Sequence, residues 1–221
     1  MEDICDYWYV PGDYRSDREL VRDLSDAVTR SLRLMHGEKA DPSHLIFPNK
    51  RDGIPRVSEQ ESKVLVTQWL RGEGYTYSVE TPTAKTYRQK GQTPQSALTD
   101  VTIYRRDGTG KKRRLNIELK AHQPAWQSFR KDLEKLIRED VPGLWFHTLI
   151  SADQRSWDAI EKKIRKSFTD LEKREDCVAA FKDGRGSVHF WFCVLKTEEV
   201  KSFDLSFVDW DSDLCKVFPK D

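Results

Sequence analysis

The stretch Leu115-Asn116-Ile117-Glu118-Leu119-Lys120 decides the fold. Apolar and polar residues alternate along it, as in a half-buried strand, with Leu115, Ile117 and Leu119 on one face and Glu118 and Lys120 on the other. A carboxylate and an ammonium therefore stand side by side. The preceding segment, Leu98 to Tyr104, alternates as well, placing Val101 and Ile103 on the apolar face and Asp100 on the polar one. Between the two lies Asp107-Gly108-Thr109-Gly110, a hairpin signal. A hairpin centred on Thr109 sets Asp100 directly across from Glu118, with Cβ atoms about 5 Å apart.

Two carboxylates that close repel, and both stay ionised only where a cation sits between them. Oxygen donors with open positions suit Mg²⁺, with Mn²⁺ as a substitute. Lys120 beside the ion is placed to hold an attacking water or a phosphate, which is what metal-assisted phosphodiester hydrolysis requires. Glu-x-Lys triplets also occur at Glu61/Lys63, Glu161/Lys163 and Glu199/Lys201, as a chain with 34% charged residues makes unavoidable. Only the triplet at Glu118 lies in an alternating strand with an Asp on its hairpin partner.

Working outward, Ser16 and Glu19 form a capping box ahead of Leu20, Val21, Leu24, Val28, Leu32 and Met35, which predicts a long amphipathic helix. Residues 37–57 carry Gly37, Pro42, Pro48, Gly53 and Pro55 and read as an irregular connection. A second box, Ser58-x-x-Glu61, opens a helix with Val64, Leu65 and Trp69 as its apolar face and Val66 at its margin, closing near Gly72 and Gly74. Tyr75 to Val79 is a short strand, and 81–97 reads as a polar, basic loop. After Lys120, helical spacing from Trp126 to Ile137 stops at Pro142-Gly143, before a strand from Leu144 to Ile150. A further helix carries Trp157, Ile160, Ile164, Phe168 and Leu171, and strands follow at 188–195 and 203–208. The order from 58 to 150 is α-β-β-β-α-β.

That order, with Asp100 in Leu98-Thr99-Asp100-Val101, Glu118-Leu119-Lys120, and Glu61 in Ser58-Glu59-Gln60-Glu61-Ser62-Lys63, resembles the PD-(D/E)xK nuclease superfamily. The helix segment Lys131-Asp132-Leu133-Glu134-Lys135-Leu136 resembles the one that follows E-x-K in several branches. Thr99 stands where the family's name has Pro. The resemblance implies an α/β fold with a restriction-endonuclease-like core over 58–150 and a mixed central sheet. Residues 1–57 form an N-terminal helical extension, and 151–221 add a helix and strands to the same domain. It implies Asp100, Glu118 and the Leu119 carbonyl as metal ligands, Lys120 as the catalytic lysine, and an acid on the first helix. Glu61 is preferred to Glu59 for that acid because it shares a face with Val64, Leu65 and Gln68; service to Ser58 in the capping box is its simpler role. The function expected is a Mg²⁺-dependent DNA endonuclease. A microbial defence or restriction-type system, with a homodimer or an activating partner subunit, is what the resemblance implies for its setting. The alternative is a nuclease-like fold without catalysis, kept as a nucleic-acid-binding or protein-interaction module.

Charge supplies a separate clue. The chain's net charge of +1 excludes a histone-like or acidic-tail character, yet residues 85–120 hold ten basic and three acidic side chains. Lys85, Arg88 and Lys90 precede Asp100, and Lys111-Lys112-Arg113-Arg114 follow the hairpin turn, so nucleic-acid phosphates, of DNA in preference to RNA, are expected there. His122, Gln123 and Gln127 follow Lys120 closely, with capping or surface roles expected. The four cysteines and five histidines show neither a disulfide framework nor zinc-ligand spacing, and buried thiols are expected. Trp126, Trp157, Trp191 and Trp210 are expected in the core. No apolar run approaches a membrane span and the start is acidic, so a cytoplasmic protein is expected.

Overall fold

A computed structural model describes residues 15–37, 45–51, 55–87, 93, 95–106, 110–182, 187–197, 199–205 and 210–218. These form six helices, α1 (Asp17–His36), α2 (Glu59–Gly72), α3 (Trp126–Arg138), α4 (Gln154–Leu171), α5 (Glu175–Lys182) and α6 (Trp210–Val217). The strands are β1 (Thr76–Tyr87), β2 (Gln95–Arg106), β3 (Lys111–Ala121), β4 (Gly143–Leu149), β5 (Val188–Val194) and β6 (Val200–Leu205). They make one sheet in the order β1-β2-β3-β4-β5-β6. Pairing is antiparallel through β3, parallel from β3 to β5 and antiparallel at β6, so the fold is α/β with a mixed, open sheet.

Alternation builds two cores, one on each side of the sheet. Leu115, Ile117 and Leu119 of β3 pack with Leu20, Leu24 and Leu32 of α1 and Val66 and Leu70 of α2. On the other side Trp145, Phe190 and Phe192 pack with Phe129 and Leu133 of α3 and Trp157, Ile164 and Phe168 of α4. The capping boxes at Ser16/Glu19 and Ser58/Glu61 both form and start α1 and α2. Gly143 lets α3 lie close on β4, since a Cβ there would stand 2.8 Å from the Leu136 Cβ. No helix is long and apolar enough to cross a membrane among the described residues.

Six elements differ from the sequence reading. Residues 81–87 and 95–97 are strand, not loop, because β1 and β2 continue as a long two-stranded ribbon. Threonines mark it: Thr81, Thr83 and Thr99 are buried, and Pro82 is tolerated on the edge strand. The buried face of α2 is Ser62, Val66 and Leu70 with Glu61, whereas Val64 is exposed. The last strand begins at Val200, three residues ahead of the expected Phe203. Helices α5 and α6, eight residues each, were too short to register as a 3.6-residue period. The turn residues 107–109, Arg88, Lys90 and Cys5 lie outside the described residues.

Cys177 and Cys193 are buried thiols, but Cys215 is exposed. Trp157, Trp191 and Trp210 are buried, while Trp126 is half-exposed under Lys166, whose Nζ lies 4.0 Å from the ring centroid.

Candidate functional site

The polar face of β3 carries Asn116, Glu118 and Lys120, all buried. Asn116 is spent on structure, its Oδ1 accepting from Thr102 Oγ1 at 2.9 Å across the β2–β3 ladder. That ladder pairs Val101 with Ile117, so Asp100 and Glu118 fall level at the next step. There the strands part. The amide of Leu119 donates to Asp100 Oδ2 at 2.8 Å, which anchors that carboxylate at the split.

Each of these acids has its own cation, a lysine of a flanking helix. From α2, Lys63 Nζ is 3.2 Å from Asp100 Oδ1 and also bonds Glu80. From α3, Lys135 Nζ is 2.7 Å from Glu118 Oε1 and 2.9 Å from Asp132 Oδ1, and it donates to the Leu98 carbonyl at 2.8 Å. Lys120 Nζ is 3.0 Å from the other Asp132 oxygen, Oδ2, and 3.5 Å from Glu59 Oε1. The result is a chain of alternating charge, Glu118, Lys135, Asp132, Lys120, Glu59, with Asp100, Lys63 and Glu80 beside it.

Burial sets the protonation states. Glu118 is 1% exposed, and burial pushes its pKa well above the usual carboxylate range despite the attraction of Lys135. For Lys120, burial works downward, but Asp132, Glu118 and Glu59 outweigh it and raise its pKa. Lys135 and Lys63 are raised in the same way, by Glu118 and Asp132 and by Glu80 and Asp100 respectively. At neutral pH Lys120 is thus an ammonium, able to donate and to stabilise negative charge, but not to accept a proton.

Of the two helix acids, Glu59 is the one against Lys120. Glu61 turns back to Ser58, its Oε2 accepting from the Ser58 amide at 3.0 Å and from the Ser58 hydroxyl, and it is buried in that role. His122 Nε2 donates to the Val57 carbonyl at 2.6 Å, which ties the start of α2, and so Glu59, to the end of β3. Beneath it the Nε2–H of buried His147 donates to the His122 carbonyl. Two non-glycine residues have positive φ among the described residues, Glu80 at 48° and His122 at 60°. Both border this cluster. Backbone strain of this kind concentrates at functional sites because it persists only where surrounding contacts impose it.

The basic residues separate into groups. Arg113 bonds Glu139 and the Pro82 carbonyl, and Arg114 bonds Asp17 and the Arg15 carbonyl, so half of the tetrad braces the fold. Lys111 and Lys112 are exposed and stand directly opposite Arg106 and Arg105 on β2, two cations that sequence reading passed over. Lys85 is 3.3 Å from Asp140. Lys112 and Lys120 are eight residues apart on β3, about 26 Å, so the basic tip and the acid cluster occupy opposite ends of the strand.

No family model matches the chain, and neither does any curated protein. Among the described residues no three His, Cys, Asp or Glu side chains group to hold a metal ion. At the split stand two carboxylates, Asp100 and Glu118. They are hard oxygen donors of the kind Mg²⁺ takes. Glu118 Oε1 is paired with the Lys135 ammonium at 2.7 Å. A buried carboxylate that already holds a cationic group fits a cation.

Proposed function

We propose that the chain is a metal-dependent nuclease of restriction-endonuclease-like fold, hydrolysing DNA phosphodiesters. The observation that carries this reading is the parting of β2 from β3 at Asp100 and Glu118, with Lys120 one step further along the same face. The order α2-β1-β2-β3-α3-β4 around that split supports it, as do the strained backbones of Glu80 and His122 at its border.

Asp100, Glu118 and the Leu119 carbonyl would hold a magnesium ion, which supplies Lewis-acid polarisation of the phosphate when bound. Lys120, kept protonated by its acidic neighbours, donates to the phosphate oxygens and stabilises charge as it develops there. Asp132 fixes that ammonium from α3, and Glu59 reaches it from the opposite side of the strand. The exposed cations Arg105, Arg106, Lys111 and Lys112 supply attraction for a phosphate backbone at the far end of β3.

A second reading draws on the ammonium groups of Lys63 and Lys135, which already neutralise the two acids: a nuclease-like fold that binds nucleic acid without cutting it. Purified protein incubated with plasmid and with single-stranded DNA, in Mg²⁺, Mn²⁺ or EDTA, separates the two. The enzyme reading expects metal-dependent cleavage that falls on the order of 10² to 10³ per folded molecule in Lys120→Ala, with DNA affinity nearly unchanged and a lowered melting temperature, since a buried ammonium is lost. Cleavage undiminished in the variant would remove Lys120 from the chemistry, and no cleavage under any condition would favour the second reading.

A further inference from the structure

The ammonium of Lys135 is surrounded as a bound metal ion would be. Three oxygens converge on it within 2.9 Å, from Glu118, Asp132 and the Leu98 carbonyl. Two belong to carboxyl groups and one is a backbone carbonyl, the mixture that hard cations select. The group arrives from outside the strand pair: α3 presents Lys135 and Asp132 one helical turn apart, and the β1–β2 ribbon supplies Leu98. At Glu118 the ammonium stands 2.7 Å from Oε1 of a 1%-exposed carboxylate. Electrostatic attraction holds it there, and another cation of suitable size could replace it.

We propose that Lys135 is a tethered counter-cation standing where a divalent ion binds to Glu118, so that the ion and the Lys135 pair exclude one another. The proposal rests on the reading of Glu118 as a metal ligand, but it concerns occupancy of that carboxylate, not cleavage. Two cations within about 4 Å of one another in a buried site repel strongly, and Glu118 has no solvent-facing side on which to accommodate the second. Binding a divalent ion at Glu118 therefore requires the Lys135 ammonium to leave, and the wild-type affinity is reduced by the cost of breaking its three contacts. The relation is reciprocal: whatever draws Lys135 away strengthens metal binding, and metal frees Lys135. Without metal, the ammonium keeps a buried carboxylate pair from repelling itself apart.

The test replaces Lys135 with Met, which keeps the length of the apolar stem and removes the charge. Melting temperature and Mn²⁺ affinity by calorimetry are measured for wild type, Lys135→Met, and Lys135→Met/Glu118→Gln. Lys135→Met is expected to melt well below wild type in EDTA, to recover much of that loss in Mn²⁺, and to bind Mn²⁺ at least tenfold more tightly than wild type. The double variant is expected to melt above the single one in EDTA and to gain nothing from Mn²⁺. Equal Mn²⁺ affinity in wild type and Lys135→Met would overturn the proposal, as would a gain that survives Glu118→Gln. Failure of Lys135→Met to fold even in Mn²⁺, with the double variant folded, would overturn it too, because a divalent ion would then be unable to replace the ammonium. None of these readouts depends on hydrolysis, so a protein that cuts no DNA could still show the exchange, and a nuclease could lack it.

Discussion

Glu59 and Glu61 are two residues apart and point about 200° apart around α2, so one helix turn gives them separate work. Glu61 holds the first turn together through Ser58, while Glu59 stands 3.5 Å from the Lys120 ammonium. Glu61→Ala is expected to lower stability by about 1 kcal/mol, the usual worth of a cap, with cleavage per folded molecule retained. Glu59→Gln is expected to lower cleavage and leave the melting temperature within a degree or two. Thermal melts and cleavage rates on the same preparations check both, and loss of activity in Glu61→Ala alone would reverse the roles. His147 sets an acid limit. Burial pushes its pKa down to about 4, against about 6.5 in an unfolded chain. Between those values the unfolded chain takes up a proton that the folded one refuses. Stability is thus undiminished above pH 6.5 and falls as pH drops toward 4, by up to about 3 kcal/mol. His147→Gln, which keeps an N–H for the His122 carbonyl, is expected to lose less melting temperature between pH 7.5 and 5 than wild type. Equal losses would place the acid sensitivity elsewhere.

At the scale of elements, the β1–β2 ribbon organises both the site and the basic surface. It meets the end of α3, where buried Glu139 accepts from the amides of Ala84 and Lys85 at 2.8 and 3.1 Å, from the Tyr87 hydroxyl at 3.2 Å and from Arg113 Nη1 at 2.7 Å. Arg113→Gln strips a buried carboxylate of its cation and is expected to destabilise the fold, by up to the 3–5 kcal/mol typical of a broken buried pair. Replacing Arg105, Arg106, Lys111 and Lys112 together by Gln removes like charges facing each other across strands, and is expected to leave stability unchanged or raised. The same variant is expected to flatten the plot of log DNA affinity against log salt, by up to about 0.9 per lost phosphate contact. A wild-type slope would make these cations surface charge alone. Sequence made the β2–β3 pairing legible because Val101, Ile103, Leu115 and Ile117 alternate strictly and a Gly-rich turn divides them. The ribbon was hidden because threonine, not a large apolar residue, fills its inward positions, so its burial leaves no hydrophobic alternation. Lys135 and Asp132 were visible as a helical segment, but their meeting with Glu118 and Lys120 depends on how α3 crosses the sheet, which no local pattern encodes.

For the molecule as a whole, the two cores share every central strand. Trp145 lies in the core with α3 and α4, and Trp191 in the core with α1 and α2, one strand away. Neither core has a sheet of its own to keep if the other melts. Thermal unfolding is therefore expected as a single transition, with far-ultraviolet circular dichroism and tryptophan fluorescence superimposed. A separate early transition would mean that α1 and α2 detach while the sheet persists. The same arrangement explains why the net charge of the chain says little about its partner: positive side chains gather at one end of β3 and acids meet lysines at the other, and the total averages over both.

The seating of α1 bears on how the chain reaches this state. Trp191 donates its indole N–H to Thr29, Arg33 reaches the carbonyls of Val194 and Glu199, and Arg18 meets Asp204. These partners lie 161 to 186 residues apart in sequence, so a ribosome completes α1 long before β5 and β6 exist to receive it. Throughout that interval part of the helix's apolar stripe has no strand to cover it, which makes closure of the sheet slow and the nascent chain prone to association. Dilution and chaperone binding during synthesis would then govern the yield of folded protein more than its final stability does.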